Sequence, residues 1–187
     1  MGDQAQPASG IEAFSDLERL LEAAAEAHAG LGEVERVSER RGRELVRLML
    51  QAHQDARGNG DVGAAIVIGS DRPLRLGYKR IRSRRILTVF GELTLTRTGY
   101  GQPGERTVYP LDRELQLPER TYSYEYQRRL MRTVACSPFD EAIALLAELT
   151  GVSVPKRAAE QLVREAAVDF EAFYAQRPAA EVKPARG

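Results

Sequence analysis

The apolar residues of this 187-residue chain change their spacing twice, and this restricts the fold more than any single motif. Up to Arg57 they recur at the repeat of a helix with one buried face. Phe14, Leu17, Leu20, Leu21 and Ala24 predict an amphipathic helix over residues 11–28, with Ser15 as a late N-cap. Gly30 and Gly32 interrupt it. Val34, Val37, Leu45, Leu48, Met49 and Ala52 then predict a longer helix over 33–57, acidic in its first turns and ending on Arg57, as the helix dipole favours. The two can pair as an antiparallel hairpin.

Beyond the break at Arg57-Gly-Asn-Gly-Asp61 the spacing shortens to that of a strand. Residues 64–68, 86–90 and 92–98 are β-prone. In the last of these, Leu93, Leu95 and Arg97 alternate with Thr94, Thr96 and Thr98, the pattern of a half-buried strand. Gly91 marks a tight hairpin turn. Residues 99–118 read as a connector punctuated by Gly101, Pro103, Gly104, Pro110 and Pro118. Helical spacing returns after Pro118. One helix is expected over 123–135, with Tyr126, Leu130 and Val134 on one side. A second is opened by Ser137-Pro-Phe-Asp140 and ended by Gly151. A third runs over 155–175 on a stripe of Ala159, Leu162, Ala166, Phe170 and Phe173. Residues 1–10 read as disordered and 177–187 as a linker or frayed tail.

The chain is therefore expected to be α+β. It has an N-terminal helical hairpin (11–61), a basic arm with a small antiparallel β-hairpin unit (62–118), and a C-terminal helical module resembling a helix-turn-helix (119–176). A hydrophobic share of 43% suffices for a packed core. No apolar run approaches the roughly 18 residues of a membrane span. Residues 1–10 lack the basic and apolar regions of a signal peptide. The lone Cys136 leaves no internal disulfide. A cytoplasmic protein with no membrane partner is expected.

Charge narrows the function classes. Lys plus Arg and Asp plus Glu both total 27, so the net is zero. The balance is uneven, however: −5 over residues 1–61, +7 over 62–136 and −2 over 137–187. A basic middle third points toward a polyanionic partner. Little points to catalysis. Gly58-Asn-Gly-Asp-Val-Gly63 matches a dinucleotide fingerprint in letters, but a helix precedes it and a β-prone run follows, the reverse of what pyrophosphate binding needs. It reads as a glycine-rich loop. With His28, His53 and Cys136 as the only imidazoles and thiol, no standard zinc site can be assembled. No cofactor, metal, catalytic residue or small-molecule substrate is expected.

Two constellations remain. Residues 72–85 hold seven basic side chains among 14 and no acid. Arg75, Lys79, Arg80, Arg82, Arg84 and Arg85 could track a phosphate backbone, with Arg80, Arg82 and Arg84 on one face and Tyr78 free to stack. A solvated basic loop is the alternative. The second is the pair of helices joined by Gly151-Val-Ser-Val154, where Lys156, Arg157, Gln161 and Arg164 could face a major groove. A plain helical hairpin is the alternative there.

Several blocks together carry a resemblance. Arg84-Arg85-Ile-Leu-Thr-Val-Phe-Gly-Glu-Leu-Thr-Leu-Thr-Arg-Thr-Gly-Tyr100, then Tyr109-Pro-Leu-Asp112 with residues 115–118, resemble the corresponding stretches of ISKra-type insertion-sequence transposases. Ser137-Pro-Phe-Asp-Glu-Ala142, Thr150-Gly-Val152, Lys156-Arg157, Ala167-Val-Asp-Phe170 and Phe173-Tyr174 are similar to the blocks that follow. The resemblance covers about residues 75–176. It implies a family that moves DNA by a DDE, RNase H-like, two-metal reaction, whose first catalytic aspartate lies downstream of the matched blocks. No residue here is assigned a DDE role. The expectation is a truncated or split transposase part that binds transposon-end DNA, alone or with a homo-oligomer or full-length partner, and is not itself an enzyme. The competing expectation is an oligomerisation or docking module that uses the face from Val34 to Ala52, with no sequence-specific DNA contact.

Overall fold

A computed structural model describes residues 9–68 and 74–175, with Leu74 and residues 169–175 described as backbone only. Disorder is expected over residues 1–10: residues 1–8 lie outside the described residues, as do Arg72 and the tail expected at 177–187, but Ser9 and Gly10 are ordered as the cap and first residue of the first helix, whose capping box fixes them. The fold is α+β, with six helices and two antiparallel two-stranded sheets among the described residues. It divides into two compact units. Among the described residues, the first holds those up to Tyr126 together with 150–152; the second holds 127–149 and 153–175.

In the first unit, α1 (Gly10–Glu26) and α2 (Leu31–Ala56) form the expected antiparallel pair, with Ile11 and Phe14 beside Leu45, Met49 and Ala52. The N-cap of α1 is Ser9, not Ser15. Ser9 Oγ accepts the Glu12 N–H at 3.2 Å while the Glu12 carboxylate accepts the Ser9 N–H at 2.8 Å, a reciprocal capping box. That pairing satisfies two otherwise orphaned donors, which Ser15, well inside the first turns, could not do.

The loop after α2 is not a nucleotide fingerprint. Gly58, Gly60 and Gly63 all have positive φ, and the segment leads into β1 (Ile66–Ile68). β1 pairs with β2 (Leu74–Leu76), and β3 (Tyr78–Thr88) with β4 (Gly91–Gly101). The expected basic arm is thus itself largely strand from Leu74 onward, and the hairpin is longer at its open end than its apolar pattern predicts, while at the turn β3 stops at Thr88 instead of running to Phe90. The reason is charge: exposed Lys and Arg occupy the outer half of β3, so its alternation is invisible to a hydrophobic count. The turn is the two residues Val89-Phe90, with Thr88 opposite Gly91. Gly91 takes φ +127°, a conformation that L side chains rarely adopt.

Both outer edges of this hairpin have partners. On β4, the Gln51 amide of α2 donates to the Thr94 carbonyl and accepts its N–H, both at 2.9 Å. Thr98 N–H donates to the Asn59 carbonyl, and Tyr100 exchanges two backbone bonds with Val108. On β3, Leu87 bonds the backbone of Thr121 and Ser123. Unpaired strand edges are costly when covered, and here side chains and loop backbone complete them. Ile86, Val89, Leu93, Leu95, Tyr100 and the Leu111 of α3 (Pro110–Glu114) are buried, with Leu48, Leu76 and Tyr126. Burial pushes the Tyr126 phenol up to about 12, and its hydroxyl donates to the Val152 carbonyl at 3.2 Å.

In the second unit, the expected helices are present as the body of α4 (Tyr124–Cys136), α5 (Phe139–Thr150) and α6 (Lys156–Ala175). Gly151, at φ +67°, terminates α5. Leu130, Ala142, Leu146, Val154, Ala159 and Leu162 are buried. Ala166, expected on the apolar stripe of α6, is exposed, and the side chains of Phe170 and Phe173 lie outside the described residues. No described helix is long and apolar enough to cross a membrane.

Candidate nucleic-acid interface

The register of the β3–β4 hairpin decides which basic side chains share a face. Arg80, Arg82 and Arg84 alternate along β3, and Arg82 stands directly opposite Arg97 of β4. Four guanidiniums therefore lie on one side of a two-stranded sheet. Like charges placed opposite each other destabilise a sheet unless something compensates them.

Asp112 supplies part of that compensation. Its Oδ2 accepts from Arg84 at 3.0 Å and also from Arg97. Arg84 further donates to the carbonyls of Pro118, Glu119 and Arg120, clamping that turn against the strand. Arg97 lays its guanidinium over the Tyr109 ring, 3.9 Å from the centroid. Tyr109 in turn rests on Gly99, where an added Cβ would fall 2.6 Å from the ring. One carboxylate thus serves two inward guanidiniums through a single oxygen. Asp112 Oδ1 and Arg97 Nε are buried without a hydrogen-bond partner.

The remaining expected phosphate contacts divide by environment. Lys79 is held 2.7 Å from both oxygens of Asp61. Its hydrogen bond, with those from Gly63 N–H and Tyr100, pulls the Asp61 carboxyl down to about 2. The same bond raises the Lys79 ammonium. Arg85 lies 3.7 Å from Glu92 and is largely exposed. Arg80 sits over the exposed ring of Tyr78, 4.6 Å from its centroid, rather than against an acid. Tyr78 is therefore already stacked, on Arg80. Arg75 and Arg82 are exposed and make no ion pair among the described residues.

Of the groove candidates, Lys156 is tied to Asp140 at 2.6 Å, which raises its ammonium. Arg157, Gln161 and Arg164 are exposed at the spacing of one helical face. They share it with Glu160 and Glu165. Lys79, Arg84 and Lys156 are thus engaged within the protein and Arg85 stands beside Glu92, while Arg75, Arg80, Arg82, Arg157 and Arg164 present charge outward.

Sequence reasoning missed one feature. Arg84, Arg97, Arg106 and Arg113 line a cleft of about 600 Å³ with Thr107, Tyr109, Asp112, Leu117, Pro118 and Glu119. Arg97 carried the clue: it continues the inward series of Leu93 and Leu95, and a charge on the buried side of a strand requires a partner. Among the described residues no cluster of three or more His, Cys, Asp or Glu side chains could hold a metal ion.

Fold and site together define a small α+β protein built around an arginine-rich β-hairpin. The chain belongs to an uncharacterised protein family, UPF0236, whose model matches residues 66–186, from the first residue of β1 onward. Comparison with curated proteins and with solved structures gave no match.

Proposed function

We propose that this chain is a DNA-binding module of the ISKra-type insertion-sequence transposase kind, acting at transposon ends by binding rather than by strand transfer. The observation that carries the reading is the guanidinium excess on one face of β3–β4, where Arg80 and Arg82 project outward beside Arg84 and Arg97 and a single carboxylate answers them. A polyanion relieves that repulsion and releases counterions as it does so. Arg75 and Arg85 extend the same charge along the chain. Arg157, Gln161 and Arg164 add an exposed polar face suited to base edges. The resemblance in residues 75–176 supplies the kind of DNA. The test is binding to transposon-end duplex over a salt series. Affinity should fall steeply as salt rises; no binding at low salt, or no salt dependence, defeats the reading.

A second reading, self-association through α1–α2, is favoured by one observation. Ile11, Phe14 and Met49 are more than half exposed around an apolar groove completed by Leu45 and Ala52. Sedimentation across a concentration series distinguishes it: a monomer at every concentration excludes it.

A further inference from the structure

The arginine cleft differs in kind from the exposed basic strand. It is concave, with Arg84 of β3 and Arg97 of β4 on one side and the segment from Arg106 to Glu119 as the wall on the other. That wall is fixed by the two backbone bonds between Tyr100 and Val108, by Tyr109 seated on Gly99, and by the Arg84 clamp on 118–120. The wall that carries Arg106 and Arg113 is therefore in place before any ligand arrives, which lowers the cost of binding.

The lining carries four guanidiniums and two carboxylates, a net of +2. Asp112 is consumed by Arg84 and Arg97. Arg106 and Arg113, exposed at the mouth, make no ion pair among the described residues. A diester phosphate brings one negative charge, whereas a phosphate monoester brings close to two near neutrality and has three acceptor oxygens. Planar guanidinium forks suit such oxygens better than any other side chain does. The volume, in the range of small-molecule sites, leaves room for the group attached to the phosphate, and Leu117, Pro118 and the Tyr109 ring offer it apolar surface.

We propose that this cleft is a binding site for a phosphate monoester, with Arg97, Arg106 and Arg113 as its anion-binding residues and Arg84–Asp112 as the pair that positions them. The same chemistry is offered by the phosphorylated end of a nucleic-acid strand and by free phosphate. Only the first source rests on the DNA reading.

The experiment uses the full chain with three probes: a duplex with 5′-phosphate ends, the same duplex with 5′-hydroxyl ends, and inorganic phosphate. Tighter binding of the phosphorylated duplex, by about tenfold for one added charge-assisted contact, supports the site with a strand end as the source. A rise in melting temperature with inorganic phosphate, with neither duplex bound, supports the site with free phosphate as the source, and defeats the DNA reading alone. The double variant R106Q/R113Q, altered only at exposed positions, should abolish either effect while leaving the affinity for the hydroxyl-ended duplex within about twofold, since rim charges contribute little elsewhere. Equal affinity for both duplexes together with no response to phosphate overturns the proposal. So does a double variant that keeps the wild-type preference.

Discussion

Arg84 and Asp112 lie 28 residues apart in the sequence and 3.0 Å apart in the structure, and their contact fastens the 106–119 segment to the β-hairpin. Because Arg97 shares the same carboxylate, the bridge is a three-residue network. Asp112→Ala should leave two half-buried guanidiniums facing each other and cost about 3 kcal/mol, as breaking a largely buried ion pair does. Urea denaturation measures it. A loss below about 1 kcal/mol would mean that the segment is held by its backbone contacts alone.

Arg80 and Arg82 should act through phosphates. Replacing both with Ala is expected to weaken DNA binding about equally for all sequences and to lower the slope of log affinity against log salt by about 2. A variant with an unchanged slope would remove these two side chains from the interface.

Arg157 and Gln161 should act differently. Their replacement by Ala is expected to relax discrimination between transposon-end and unrelated duplex by about 1–3 kcal/mol for a base contact, with the salt slope changed little. Competition binding with the two duplexes reads this out. An unchanged preference would give α6 a purely structural role.

Asp61 links stability to pH. Its folded carboxyl titrates near 2, below its ordinary 3.8, because Lys79, Gly63 N–H and Tyr100 all favour the charged form. A depressed carboxyl contributes stability that is fully present above its unfolded value and is lost as pH falls through the folded one. Between about pH 4 and pH 2, wild type should therefore lose stability faster than Asp61→Asn, and the two curves should converge. Parallel melting curves across that window would show that the Lys79 contact is energetically silent.

Gly60 is a packing test. It has φ +69°, and a Cβ there would lie 2.7 Å from the Cβ of Leu111. Gly60→Ala combines backbone strain with a clash at a buried leucine and should cost about 2 kcal/mol or more, again by denaturation. A neutral variant would mean that the loop moves freely away from α3.

Most of the architecture was legible in the sequence, because apolar spacing reports directly on helices whose stripes are buried. Tyr126, Leu130, Ala159 and Leu162 behave as that spacing predicts. β3 was not legible over Tyr78–Arg85. Its side chains there are mainly basic and exposed, and its ladder is specified by residues 91–101 rather than by its own pattern. The site divides in the same way. Exposed guanidiniums can be counted from the sequence, but whether one is spent internally cannot. Arg84 and Arg82 are two residues apart and alike in letters; only the long-range approach of Asp112 and the 118–120 carbonyls separates them. Arg97 sat in plain view in its alternation, yet its partners, Asp112 and Tyr109, arrive from a segment read only as a connector.

The filled outer edge of β4 has one more consequence. With Gln51, Asn59 and Val108 already bonded to its backbone, that side cannot accept a strand from another molecule. Sheet growth is left only the β3 side, where Lys79, Arg80, Arg82 and Arg85 would meet the same charges on an incoming copy. The arginines that would attract a polyanion also repel a like strand, guarding the hairpin against edge-to-edge aggregation.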